Sequence, residues 1–136
     1  MLIKDVMQTE LITLSQESTI REAARLMKEK EIGCVLIING QRLKGIITDR
    51  DIACWLAEGK DPDNVNVGSI MRKNIITATP ETDVSEAGRL MAYNKIHRLP
   101  IVEDSKLSGL ITTSDLAGVL EEEIDNFLHV EEAYHH

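Results

Sequence analysis

The sequence predicts an α+β fold of two tandem βαββα units, and three observations carry that expectation. The chain repeats itself: an offset of 64 residues holds without a gap from Met7/Met71 to Asp51/Asp115. Identities along it include Ile12/Ile76, Ala23/Ala87, Met27/Met91, Ile37/Ile101, Gly45/Gly109 and Thr48/Thr112, mostly apolar or turn positions. Each half also places one amphipathic helix between short β-branched runs. Finally, Gly45-Ile46-Ile47-Thr48-Asp49-Arg50-Asp51 returns as Gly109-Leu110-Ile111-Thr112-Thr113-Ser114-Asp115. Both copies read as an apolar strand that ends on a Thr and turns straight into a helix.

In chain order, Ile12–Leu14 and Ile75–Thr77 are the first short strand of each unit. Thr19 with Glu22, and Asp83 with Glu86, then start a helix, each pair placed to satisfy orphan N–H groups. Ile20, Ala23, Ala24 and Met27 form its apolar face, repeated by Val84, Ala87, Gly88 and Met91. The region of Gly33 ends the first of these helices. Strands follow at Cys34–Ile38 and Arg98–Val102. Asn39-Gly40, and Asp104-Ser105 in the second unit, turn the chain into Leu43–Thr48 and Leu107–Thr112. The last helix of the first unit runs from about Arg50 to Glu58 and stops at Gly59. Its counterpart continues beyond Leu116, with Val119, Leu120, Ile124, Phe127 and Leu128 on one face. That stripe needs a cover, supplied either by its own domain or by a second copy. Gly59–Asn64 is rich in turn formers, so the expected organisation is a first repeat at 1–62, a second at 63–120, and an acidic helical extension at 121–136. His135-His136 reads as the remnant of a purification tag.

Composition narrows the function classes. The 136 residues suffice for one globular domain or two small subdomains sharing a core. The formal charge is −8, but six acids stand between Glu121 and Glu132 with no Lys or Arg, and without them the body carries −2. With no basic stripe and few aromatics, nucleic acid is not an expected partner. Apolar runs such as Cys34–Ile38 are too short to span a bilayer. No basic segment leads into an apolar one at the N-terminus, so a cytoplasmic protein with no membrane partner is expected. Cys34 and Cys54 lack metal-type spacing and read as buried thiols. No nucleophile–base pair stands at a readable spacing, and no His/Cys/carboxylate metal set is visible. An enzyme is therefore not expected, with no catalytic residue, metal or resident cofactor.

The two Thr–Asp junctions are where chemistry is expected. Alone, each is a helix N-cap with a carboxylate in the first turn, favourable against the helix dipole. Two copies in register point beyond capping. An Asp there partly cancels the positive helix end, which makes the place poor for phosphate. It offers two adjacent acceptor oxygens to a vicinal diol, with Thr48 or Thr112 as a third polar contact, and so suits a ribose. Ile12 or Ile76, with the strand residues near Ile37 and Ile101, would wall a base. A phosphate would need cations from elsewhere, and His97-Arg98 at the second helix-to-strand turn is one source, or else an ordinary solvated turn. The first repeat has Gly33-Cys34 there.

The paired pattern resembles two cystathionine-β-synthase-type (CBS) motifs in tandem, a Bateman module, over roughly Lys4 to Leu120. The residues that carry the resemblance are both Gly-x-x-Thr-x-x-Asp signatures, Asp5-Val6-Met7, Ser69-Ile70-Met71 and the Ala-x-x-Leu-Met-type helices, all in order. The resemblance implies two βαββα CBS repeats packed about a pseudo-twofold axis, with adenosyl ligands held in clefts between them. Carried over residue by residue, it assigns Thr48, Arg50 and Asp51 with Asn74, Ile76, His97 and Arg98 to one ligand. Thr112, Ser114 and Asp115 with Glu10, Ile12 and Gly33 fall to the other. The second set lacks a cation at its turn and adds Glu10, so it suits adenosine-like or sulfonium compounds better than phosphates. The expected function is a stand-alone regulatory module that senses AMP, ADP or ATP, with S-adenosylmethionine and NAD as further candidates. It would act as a homodimer or through a regulated protein. The alternative is a structural or dimerisation adaptor with empty clefts.

Overall fold

The computed structural model describes residues 1–135; the side chains of Glu123, Phe127 and residues 130–135 lie outside the described set, as does residue 136. The order is β1 (Thr13–Leu14), α1 (Ile20–Lys30), β2 (Cys34–Asn39), β3 (Arg42–Thr48), α2 (Asp49–Leu56), α3 (Val84–Asn94), β4 (Arg98–Glu103), β5 (Lys106–Thr112) and α4 (Thr113–His135). Single 3₁₀ turns at Ile3–Asp5 and Val67–Ser69 precede each set. The fold is α+β. Five strands are hydrogen-bonded in the order β1-β2-β3-β5-β4. β1 is parallel to β2, and β2 pairs antiparallel with β3.

The chain divides into two compact units that are not contiguous in sequence. Unit I comprises Glu10–Ile75 and Val102–Leu107; unit II comprises Met1–Thr9, Ile76–Ile101 and Ser108–His136. Relative to the 64-residue repeat, the short leading segments have changed places. Ile3 is buried in the core of unit II with Ala87, Met91, Leu99, Ile101 and Ile111. Its counterpart Val67 is buried in the core of unit I with Ile20, Met27, Ile37, Ile47 and Trp55. The backbone bonds follow the same register: Ile3 N–H donates to Thr82 O at 2.8 Å in unit II, and Val67 N–H to Ser18 O at 2.7 Å in unit I.

The local signals account for most element ends. α1 opens with a reciprocal capping box, Glu22 N–H to Thr19 Oγ1 at 3.1 Å and Thr19 N–H to Glu22 Oε2 at 3.3 Å. α3 departs from the expected pairing: Asp83 caps Ser85 N–H at 2.9 Å rather than exchanging bonds with Glu86. Both helices end on a left-handed residue, Glu31 at φ 54° and Lys95 at φ 55°, two positions before Gly33 and His97. Gly40 at φ 63°, and the pair Asp104 and Ser105 at φ 51° and 67°, make the tight turns into β3 and β5.

One expected strand is missing. Ile75–Thr77 does not form one; only Ala78 makes a single parallel bridge to Ile101. In unit I, Leu36 N–H donates to Ile12 O at 3.4 Å and holds β1. The residue 64 positions later is Pro100, which has no N–H to give. It can only accept, and does so from Ala78 N–H at 3.1 Å.

On α4, Val119 is buried, whereas Leu120, Ile124 and Leu128 stand about half exposed. Phe127, the remaining member of the expected stripe, lies outside the described side chains, as do His135 and His136. Among the described residues no helix is long and apolar enough to cross a membrane.

Candidate functional site

Both Thr–Asp junctions fold as reciprocal capping boxes. Thr48 is extended (φ −113°, ψ 164°) where β3 gives way to α2. Its Oγ1 accepts from Asp51 N–H at 3.2 Å, and Asp51 Oδ2 accepts from Thr48 N–H at 3.0 Å. In unit II, Thr112 Oγ1 accepts from Asp115 N–H at 3.2 Å, and Asp115 Oδ2 from Thr112 N–H at 2.9 Å. The capping role expected from sequence is thus present at both. It uses an acceptor lone pair of each hydroxyl and leaves the O–H proton for another acceptor.

A second polar group, unforeseen from the sequence, reaches each carboxylate from the short leading segment. In unit I, Arg72 donates to Asp51 Oδ1 from Nε at 3.0 Å and from Nη2 at 2.7 Å. In unit II, Gln8 Nε2 donates to Asp115 Oδ2 at 3.0 Å, with a longer 3.4 Å approach to Oδ1. Arg72 and Gln8 are 64 residues apart, so one structural position holds a cation in one unit and a neutral amide in the other.

The strand glycines explain how these segments come so close. Arg72 and Ile46 exchange backbone bonds at 2.9 and 3.0 Å; Gln8 and Leu110 do so at 2.8 and 3.0 Å. A Cβ on Gly45 would collide with the Met71 side chain, and one on Gly109 would come within 2.9 Å of Gln8 O. At Gly109 a crossing backbone carbonyl therefore excludes a Cβ, and at Gly45 the Met71 side chain packed on the strand does so.

Electrostatics separate the two junctions. The Asp51 side chain is 13% exposed and that of Arg72 65%. Burial pushes the Asp51 carboxyl up, but the bonds from Arg72 and from the Thr48 backbone and hydroxyl outweigh it and hold the group below the ordinary carboxylate value. The Asp51–Arg72 pair is neutral as a whole. Asp115 faces an uncharged amide.

The other expected residues divide between the units. Unit I holds Thr48, Arg50, Asp51, Asn74, Glu10, Ile12 and Gly33; unit II holds Thr112, Ser114, Asp115, Ile76, His97 and Arg98. Arg50, Asn74, Glu10, Ser114 and His97 are exposed, and Ile76 is 37% exposed. Ile12 and Arg98 are half-buried. Within each unit the helix-to-strand turn meets the junction of the same unit. Asp49 N–H donates to Gly33 O at 2.9 Å, and Thr113 N–H to His97 O at 3.0 Å. An open recess of about 490 Å³ adjoins Asp51, lined among others by Cys54, Trp55, Glu58 and Ser69. In unit II a more apolar recess of about 290 Å³ is lined by His97, Thr113, Met91 and Leu116 among others.

Ile37 and Ile101 themselves are fully buried, each in the core of its own unit. One expectation is corrected here. Cys54 is exposed and Cys34 only half-buried, so the buried-thiol reading fails. Cys54 falls on the outer side of α2, whose inner side presents Ile52 and Trp55.

The residues that sequence reasoning missed are Arg72 and Gln8. They stand one place after Met71 and Met7, where the repeat register begins. Because they differ in type, an inspection of identities passes over them.

Comparison with known proteins agrees with the tandem pattern. The CBS domain family matches residues 3–58 and again 67–122. The CBS domain-containing protein YhcV of Bacillus subtilis (strain 168) is 39% identical over 116 residues, covering 85% of this chain and 82% of that one. Among solved structures, the CBS domain pair of protein MJ0100, in complex with 5′-methylthioadenosine and S-adenosyl-L-methionine, is 30% identical with a TM-score of 0.80 over 90% of this chain and 98% of that one. The protein AcuB from Vibrio cholerae, 25% identical, gives a TM-score of 0.82 over 98% and 96% of the two chains.

Proposed function

Because the chain belongs to the CBS-domain family, we propose that it is a regulatory module that senses an adenosyl compound. AMP, ADP and ATP lead, with S-adenosylmethionine and NAD as further candidates. The observation that carries the reading is the pair of capped Thr–Asp junctions at Thr48/Asp51 and Thr112/Asp115. Each sets a carboxylate at the head of a helix, the place from which it would accept the hydroxyls of a ribose diol once its oxygens are free. The similarity to a CBS pair carrying two adenosyl compounds supports the same class of ligand. Thr48, Arg50, Asp51, Asn74, Ile76, His97, Arg98, Glu10, Ile12, Thr112, Ser114 and Asp115 are the proposed ligand-contacting residues. The protein is not an enzyme in this reading, and it works in the cytoplasm, where adenine nucleotides circulate. The ligand alters what the module presents to a regulated protein.

A thermal-shift screen of adenine nucleotides, S-adenosylmethionine and NAD tests the proposal. A ligand at a hundred times its dissociation constant stabilises the fold by about 2.7 kcal/mol, an easily read rise in Tm. If no adenosyl compound moves the transition, the adaptor reading takes its place.

We further propose a homodimer, since Leu120, Ile124 and Leu128 leave an apolar row exposed on α4. Light scattering at micromolar concentration should give twice the 15.2 kDa chain mass. A monomer at every concentration would refute it.

A further inference from the structure

We propose that Arg72 is a latch on the Asp51 junction, opened by adenosyl ligands that bring their own anion, while Gln8 leaves the Asp115 junction open to uncharged or cationic ones. The inference rests on the adenosyl reading above and adds to it which junction takes which ligand.

A carboxylate has two oxygens and about four lone-pair directions. At Asp51, Arg72 fills Oδ1 with two donors at 3.0 and 2.7 Å, and Thr48 N–H takes one direction of Oδ2 at 3.0 Å. Among the described residues that leaves a single acceptor direction, and a cis-diol needs two. At Asp115 the donors gather on Oδ2, from Thr112 N–H at 2.9 Å and Gln8 Nε2 at 3.0 Å. Oδ1 carries only the 3.4 Å approach of the same amide nitrogen. Among the described residues, the clamp is open at Asp115 and closed at Asp51.

Opening Asp51 means moving Arg72. Its side chain is 65% exposed, so it can swing without leaving a buried site, but it gives up two charge-assisted bonds. A ligand phosphate returns both, since the guanidinium fork fits phosphate oxygens as well as a carboxylate. Oδ1 then receives a ribose hydroxyl, and every donor and acceptor is again paired. A ligand without an anion offers Arg72 only water and binds at a loss. The Gln8 amide is neutral and its bonds weaker, so it yields without a replacement anion. Asp115, lacking a cation across from it, disfavours a phosphate.

Calorimetric titration of the full chain with AMP and with adenosine tests the latch, since these differ only in the phosphate. The Asp51 junction is read in an Asp115→Asn background. There AMP should bind at least about tenfold tighter than adenosine, and adding Arg72→Gln should make adenosine about tenfold tighter while weakening AMP. Gln is the residue at the corresponding place of unit II, so the substitution suits the local fold. The reverse is expected in an Asp51→Asn background: Gln8→Arg should weaken adenosine and favour AMP. The gain in adenosine affinity is the decisive sign. If Arg72→Gln weakens AMP but leaves adenosine unchanged, Arg72 is a plain phosphate contact and the latch is overturned. If neither nucleoside nor nucleotide binds any variant or the parent chain, the adenosyl reading itself falls and the latch with it.

Discussion

Arg72 holds Asp51 through two donors on one carboxylate oxygen, in a pair whose acid is largely covered and whose base is largely exposed. This geometry sets a pH dependence. Unfolded, Asp51 titrates near the ordinary value of about 4. Folded, its value lies lower, because Arg72 and Thr48 outweigh the cost of burial. The ionised carboxylate therefore stabilises the fold above about pH 4, and that contribution is lost as pH falls through the folded value. Arg72→Gln removes the main opposing bond and lets burial raise the group, so acid unfolding should begin at a higher pH. With the base exposed, the neutral-pH cost should stay at about 1 kcal/mol or less. Acid titration followed by circular dichroism, together with carboxyl carbon NMR of Asp51, measures both effects. An unchanged Asp51 titration would show that the ion pair does not form in solution.

If Asp51 and Asp115 accept the ribose hydroxyls, 2′-deoxy-AMP should bind more weakly than AMP. Hydrogen bonds to charged groups are worth about 1.5–3 kcal/mol, which corresponds to a loss of roughly ten- to a hundredfold. Equal affinities in a competition titration would remove the diol clamp from the mechanism.

Arg98, half-buried at the start of β4, is the charged residue where unit I has Cys34. Arg98→Ala should weaken AMP by about tenfold and adenosine far less, since only a phosphate uses the guanidinium. A parallel loss for both ligands would mean that Arg98 supports the fold rather than the ligand.

The two signature glycines should differ in tolerance. Gly45→Ala presses on the Met71 side chain, which is flexible and can move in part. Gly109→Ala meets a backbone carbonyl, Gln8 O, as well as Met7, and the backbone cannot move without breaking the Gln8–Leu110 pair. Overpacking costs about 1–3 kcal/mol, and Gly109→Ala should sit at the upper end with Gly45→Ala below it. Urea denaturation ranks them; the opposite order would contradict the close approach at Gly109.

How far the fold could be read from sequence follows from the range of the forces. Helix starts, turns and strand ends are decided within four residues, so Thr19, Thr48, Gly40 and the Thr112–Asp115 pair were all legible. The missing strand at Ile75–Thr77 was legible in principle, because Pro100 stands where Leu36 donates, but that requires knowing which N–H faces which strand. Arg72 and Gln8 lay beyond local reading. Their partners are 21 and 107 residues away, and only the exchange of leading segments brings them together.

That exchange also sets an order of events during synthesis. Gln8 has its backbone partner at Leu110, and Ile3 has its own at Thr82. At roughly 5–20 residues per second, the leading segment leaves the ribosome on the order of five to twenty seconds before Leu110 is made. In unit I the leading segment meets no such wait, because Val67 follows the residues it packs against, and only Val102–Leu107 joins that unit later. The contiguous stretch Glu10–Ile75 can close while Met1–Thr9 stays open, and unit II joins that early segment to strands and helices made much later.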